Sequence, residues 1–154
     1  MAEVLFYHLT ASPLERSLPE LLGRSLDRGW RVVVRAGSEL RLSWIDEMLW
    51  THDEQSFLPH GTSAMGHAEL QPIYLTTGAE NPAGATVLML AGGARVDPAE
   101  AKTWDRVCLL FDGGDEAELS AARQDWLAVR DAGLTGNYWA QEGGRWIEKA
   151  STGS

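Results

Sequence analysis

Short apolar runs recur along this chain, and segments with leucines at helical spacing separate them. That alternation constrains the fold more than any other feature. Val4 to Leu9 reads as a buried strand. Ser12-Pro13 then offers a capping serine and a first-turn proline, and Leu14, Leu18, Leu21, Leu22 and Leu26 recur on one helical face until Gly29. Trp30 to Arg35 is a second strand; Ser38 caps a helix striped by Leu42, Ile45, Met48 and Leu49, with Trp50 at its end. Residues 51 to 71 read as loop. Ile73–Thr76 and Thr86–Leu90 read as two more strands, divided by a Gly, Asn and Pro cluster. Asp97-Pro98 starts a helical turn, Arg106–Phe111 is a fifth strand, and Asp115–Ala132 is a long helix closed by Gly133. The tail from Leu134 to Lys149 is either a hairpin or an irregular strap. Strands alternating with helices in this way imply an α/β fold, a sandwich with a largely parallel sheet. We expect one domain over residues 1–150 and a disordered tail over residues 151–154.

The chain has 154 residues, 44% of them apolar, enough to bury a core. No apolar run approaches the ~20 residues of a membrane helix, and the start lacks the layout of a secretory signal, so a cytoplasmic protein is expected. The single Cys108 permits no intrachain disulfide. A formal net charge of -9 argues against broad binding to nucleic-acid phosphates.

The usual chemical signatures are missing. There is no G-x-x-x-x-G-K-[ST] loop, and the first strand leads into Thr10-Ala11-Ser12-Pro13 without glycine. Gly92-Gly93 reads as a turn. His8, His52, His60 and His67 match no ligand spacing, so neither a metal nor a cofactor is expected. His8 reads as a satisfied edge residue at the end of its strand. There is no G-x-S-x-G elbow, Cys108 reads as an inert core thiol, and Asp46-Glu47 and Asp53-Glu54 read as solvated acids. Nothing here demands an enzyme.

Seven tryptophans are the unusual element, since tryptophan and arginine concentrate where interfaces carry their energy. Trp50, Phe57 and Pro59 form one cluster, either a contact surface or a loop folded back on the sheet. On the last helix, Leu119, Ala122, Trp126 and Val129 make a core stripe, with Arg123 and Arg130 on a shared face flanking Trp126. Two guanidiniums beside an indole suit an acidic peptide with an aromatic carboxyl end; the alternative is a half-buried tryptophan among solvated arginines.

The stretch Ile45–His60, IDEMLWTHDEQSFLPH, carries a pattern of Ile, Asp, Glu, one residue, Leu, Trp, then Ser-Phe-x-Pro-His. It resembles the chi subunit of bacterial DNA polymerase III, an accessory of the clamp-loader complex. Ala122-Arg123, Trp126, Arg130 and Ala132-Gly133 are similar to that family's last helix. The resemblance implies a three-layer, Rossmann-like sandwich without a phosphate-binding loop and without intrinsic activity. It implies that Trp50, Phe57 and Pro59 dock the psi subunit or another clamp-loader component. It further implies that Arg123, Trp126, Arg130 and Gly133 bind the acidic, phenylalanine-ending tail of single-stranded DNA-binding protein. The chain departs from the family where Leu119 and Leu127 replace lysines and Trp126 replaces a tyrosine. A repair helicase is an alternative partner at Trp50. The rival readings are a nucleotide-binding α/β enzyme sharing only the architecture, and direct binding of single-stranded DNA through exposed tryptophans.

Overall fold

The computed structural model describes residues 3–9, 14–51, 60–62, 72–81, 84–142 and 145–152. In chain order these form β1 (Glu3–Leu9), α1 (Leu14–Asp27), β2 (Val32–Ala36), α2 (Glu39–Thr51), β3 (His60–Thr62), β4 (Ile73–Thr76), β5 (Val87–Ala91), α3 (Pro98–Ala101), β6 (Arg106–Asp112), α4 (Glu116–Asp131), β7 (Thr135–Glu142) and β8 (Arg145–Thr152). The strands make one mixed sheet in the order β3-β4-β2-β5-β6-β1-β7-β8. All neighbours are parallel except β8, which runs antiparallel to β7. This is an α/β fold with a mostly parallel sheet.

The apolar runs are continuous because the inner strands are covered on both faces. Leu5 and Leu9 of β1, Val32 and Val34 of β2, and Cys108 and Leu110 of β6 join Leu18 and Leu22 of α1 and Ile45 and Leu49 of α2 in one core. The alternate residues, Val4, Phe6, Val33, Leu109 and Phe111, join Ala101 of α3 and Ala122 and Val129 of α4 in the other. Cys108 is an inert member of the first core; burial pushes its thiol up to about 12.

Local chemistry sets the helix ends. Ser38 accepts from the Arg41 N–H at 3.2 Å. Asp97 caps α3 by accepting from Ala99, and Asp115 caps α4 by accepting from Ala117 and Glu118. Helices α1 and α4 end alike. Gly29 and Gly133 take positive φ (78° and 73°). The Trp30 N–H then reaches back to the Ser25 carbonyl and the Leu134 N–H to that of Val129. This glycine-dependent closure satisfies the last carbonyls and launches β2 and β7. The guanidiniums of Arg28 and Arg106 both lie over the Trp30 ring, at 5.0 and 4.8 Å from its centre.

Three expectations need correction. The segment read as loop holds β3, a strand made by pairing His60 with Ile73 and Thr62 with Leu75, since His-Gly-Thr has no apolar signal of its own. The tail is a hairpin, and β8 continues through Ser151 and Thr152, which pair with Asn137 and Gly136 where a disordered end was expected. His8 is not at a sheet edge, because β1 lies between β6 and β7.

Two ion pairs fasten the second helical layer. Arg35 of β2 grips Glu100 of α3 with two bonds of 2.7 Å, holding that carboxyl below its ordinary range. Arg95 binds Asp125 of α4 through Nε and Nη2, and the Val96 N–H donates to the same carboxylate at 3.0 Å. The Asp125 side chain is 4% exposed, whereas that of Arg95 is 50% exposed. Asp125→Ala therefore strands a buried N–H while leaving the arginine in water. We expect a loss of about 1–3 kcal/mol in urea unfolding; a change under about 0.5 kcal/mol would show that this carboxylate does not hold α4 in place.

Candidate functional site

Helix α4 crosses one side of β1 and β7, and the two strands are in register there: Phe6 is opposite Tyr138 and His8 opposite Ala140. The alternation of β1 turns Val4, Phe6 and His8 toward the helix. Gly136 of β7 lies between this helix and Thr152 of β8. A Cβ there would meet Val129 and Trp126 at 3.2 and 3.3 Å, so the missing side chain lets α4 lie against the strand.

Trp126 fills the place this leaves. Its ring meets Phe6 edge-on at 5.2 Å and Tyr138 edge-on at 5.9 Å, and Tyr138 stacks on Phe6 at 6.4 Å. Such contacts contribute about 0.5–1.5 kcal/mol each beyond area burial, which fixes the indole while leaving it partly open to solvent. One turn nearer the helix start, Arg123 is exposed and makes no hydrogen bond or ion pair among the described residues. Its charge is felt by both His8 and Tyr138. Arg130 differs, because its Nε and Nη2 lie 3.3 and 3.2 Å from Asp131 Oδ1. Seven residues along a helix is about 10 Å, so the two arginines flank Trp126, and Arg123 is the one without an ion pair among the described residues. Gly133 stands farther on, where its positive φ ends the helix. Leu127 is 46% exposed, and Leu119 packs partly into the core.

The structure adds a group that periodicity did not single out. The Tyr138 hydroxyl lies 2.7 Å from His8 Nδ1, and the imidazole rests against Phe111 at 5.0 Å. Burial, then the nearby Arg123, hold His8 below its ordinary 6.5, while Asp112 acts the other way. Burial raises Tyr138, with Arg123 opposing. The Phe6-x-His8 alternation was the available signal: it places the histidine on the face of the buried phenylalanine, not at an edge.

Trp50 belongs to α2, but its side chain, together with Phe57 and Pro59, lies outside the described residues, as do His52 and His67. Helix α2 also presents Leu40 (83% exposed) and Trp44 (45% exposed) one turn apart, a pair that sequence reading passed over. Gly92 and Gly93 form a turn with positive φ, closed by the Ala94 N–H on the Ala91 carbonyl. Among the described residues no group of His, Cys, Asp and Glu could hold a metal ion, and no helix is long and apolar enough to cross a membrane.

The family model of the DNA polymerase III chi subunit, HolC, matches residues 1–137. The chain belongs to this chi-subunit family. It is also similar to a protein of Rickettsia prowazekii (strain Madrid E) named "Probable DNA polymerase III subunit chi", at 24% identity over 90 residues. That alignment covers 58% of this chain and 54% of the relative, so the chain spans about half the length of the relative it matches. The chi-family match includes Trp50, Phe57, Pro59 and the whole of α4. It stops just before Tyr138, so the tyrosine that holds His8, the rest of the hairpin and all of β8 lie beyond it.

Gly113 tests how tightly this corner is built. A Cβ there would land on the His8 imidazole, and the backbone at Gly113 has no positive φ to add strain. Gly113→Ala must displace the ring and break its bond to Tyr138. We expect a loss of about 1–3 kcal/mol in thermal unfolding, with the His8 ring resonances moved in the NMR spectrum. Unchanged resonances would mean that the ring is not held against this loop.

Proposed function

We propose that this chi-family chain is a noncatalytic accessory subunit of the replicative DNA polymerase III holoenzyme, joining the clamp loader to single-stranded DNA-binding protein in the bacterial cytoplasm. In this reading Arg123, Trp126, Arg130 and Gly133 mark where the C-terminal tail of that protein lies. Trp50, Phe57 and Pro59 mark the contact with psi, another clamp-loader component or a repair helicase. The helices on either side of the sheet are consistent with a three-layer, Rossmann-like sandwich without a phosphate loop, formed by a single domain.

One observation carries the tail-binding reading: an arginine with no partner among the described residues stands beside a half-buried, rigidly held indole. Arg123 grips the terminal carboxylate with charge-assisted hydrogen bonds, and the terminal phenylalanine ring packs by Trp126. Arg130, already leaning on Asp131, senses the upstream aspartates more weakly. The overall charge of -9 opposes an acidic peptide at long range, so the affinity of one tail is modest. Many tails presented together on coated DNA raise the effective concentration and make modest contacts sufficient.

The direct measurement is fluorescence anisotropy with a labelled peptide copying the cognate tail, beside the same peptide lacking its last phenylalanine. We expect micromolar, salt-sensitive binding that vanishes with the shortened peptide. Removing a charge-assisted bond costs about 1.5–3 kcal/mol, so Arg123→Ala should weaken binding roughly tenfold or more. Trp126→Ala should weaken it as well, and unchanged affinity in both folded variants would rule out this site. At the other surface, Trp50→Ala and Phe57→Ala are expected to abolish co-purification with the clamp loader while the fold survives; variants that unfold would identify these residues as core.

A further inference from the structure

We propose that the β7–β8 hairpin extends the tail-binding surface beyond α4, with Ile147 of β8 receiving an apolar side chain upstream of the terminal phenylalanine. This rests on the tail-binding reading of α4 and deepens it by assigning a second apolar contact to a different element. Strand β8 lies beyond the residues 1–137 that match the chi family, so the family match does not imply this contact.

Register sets which side of the sheet each β8 residue takes, because directly opposed residues of an antiparallel pair share a face. Ile147 is opposite Ala140, Ala150 opposite Tyr138 and Thr152 opposite Gly136. Tyr138 packs in the core under α4, so all three β8 residues stand on the α4 side. Simple alternation would have put Ile147 and Ala150 on different sides. The bulge opposite Tyr138 and Trp139 adds Lys149 to β8 and reverses the alternation, so both face α4. Trp146 points the other way, against Tyr7 at 5.0 Å. The core under α4 takes its residues from β6, β1 and β7 but none from β8. Ile147 belongs to neither core and is 38% exposed.

This surface is continuous with the aromatic patch of α4. A Cβ at Gly136 would meet Thr152 at 3.0 Å and Trp126 at 3.3 Å, so the end of β8 adjoins the indole. Arg123 and Arg130 neighbour Trp126 one turn before and after it, on the flank of α4 nearest the hairpin. An extended peptide advances about 3.3 Å per residue, and neighbouring strands lie about 4.8 Å apart. With its terminal ring beside Trp126 and its carboxylate on Arg123, a peptide running outward from α4 reaches β8 within about two or three residues. The side chain arriving there meets Ile147 and Ala150, which suit an apolar group. Charge does not oppose this path. Glu148, opposite Trp139, belongs to the other side of the sheet, and Glu142 on the near side is opposite Arg145.

The test is the affinity of the tail peptide for the wild-type chain and for Ile147→Ser, beside peptides in which each apolar residue before the terminal phenylalanine is replaced in turn by serine. We expect Ile147→Ser to weaken binding of the unaltered peptide about three- to fivefold. One of the altered peptides should bind both chains equally, which identifies the side chain that meets Ile147. Where Ile147→Ser fails to fold, the Ile147 methyl resonances of the wild type decide, with a shift as peptide saturates the site. Wild-type affinity in Ile147→Ser, an equal loss for every peptide, or methyl resonances that peptide does not move would each overturn the inference while leaving tail binding at Arg123 intact. A change of oligomeric state in Ile147→Ser with peptide affinity unchanged would assign the surface to a second copy of the chain and overturn it as well. Failure of the wild type to bind the unaltered peptide would overturn both readings.

Discussion

The double burial of β1 is the constraint on which the rest of the structure depends. Between β6 and β7 it has no free edge, so its backbone groups are satisfied on both sides. Its side chains serve three purposes by simple alternation. Leu5 and Leu9 enter the core under α1 and α2, Val4 and Phe6 enter the core under α4, and His8 arrives at the rim of the second. Shifting this strand by one residue would exchange the two faces and remove both Phe6 and His8 from α4. The position of Trp126 follows, because the indole packs on Phe6.

The second helical layer depends on buried charge as much as on apolar contact. Helix α3 has one turn and a single fully buried side chain, Ala101, so the Arg35–Glu100 pair does much to hold it to the sheet. Helix α4 is anchored near its middle by Asp125, which ties Arg95 and the Val96 backbone to the turn of helix that also carries Arg123 and Trp126. Anchoring there keeps the exposed residues of α4 on a rigid support, as recognition by a small, mostly aromatic patch requires. Arg123 makes no ion pair among the described residues, in a chain whose net charge is -9.

Much of this was legible in the residues. The leucine spacing of α1 and the stripe of α2 were readable because a helix face is a local property with a 3.6-residue period. Asp97-Pro98 and Gly133 were readable because caps act within a few residues. Strand partners were not, since pairing joins residues distant in sequence. β3 has no apolar residue and exists through β4, and Thr135–Glu142 lacks the pattern of a buried strand yet pairs with β1 and β8. The site divides in the same way. Arg123 and Trp126 stood out on one helix, whereas His8 and Tyr138 are 130 residues apart and meet only across the sheet.

By itself, then, the order of residues determined an α/β chain, the limits of its main helices and the arginine–tryptophan pattern of α4, because propensity, capping and periodicity act over a few residues. The tertiary structure alone decided that the C-terminal segment is a hairpin, that Arg130 leans on Asp131 while Arg123 stands unpaired among the described residues, and that a histidine from the first strand faces the last helix. Those outcomes depend on which strands become neighbours. That choice is settled by the simultaneous burial of two faces of one sheet, not by any segment in isolation.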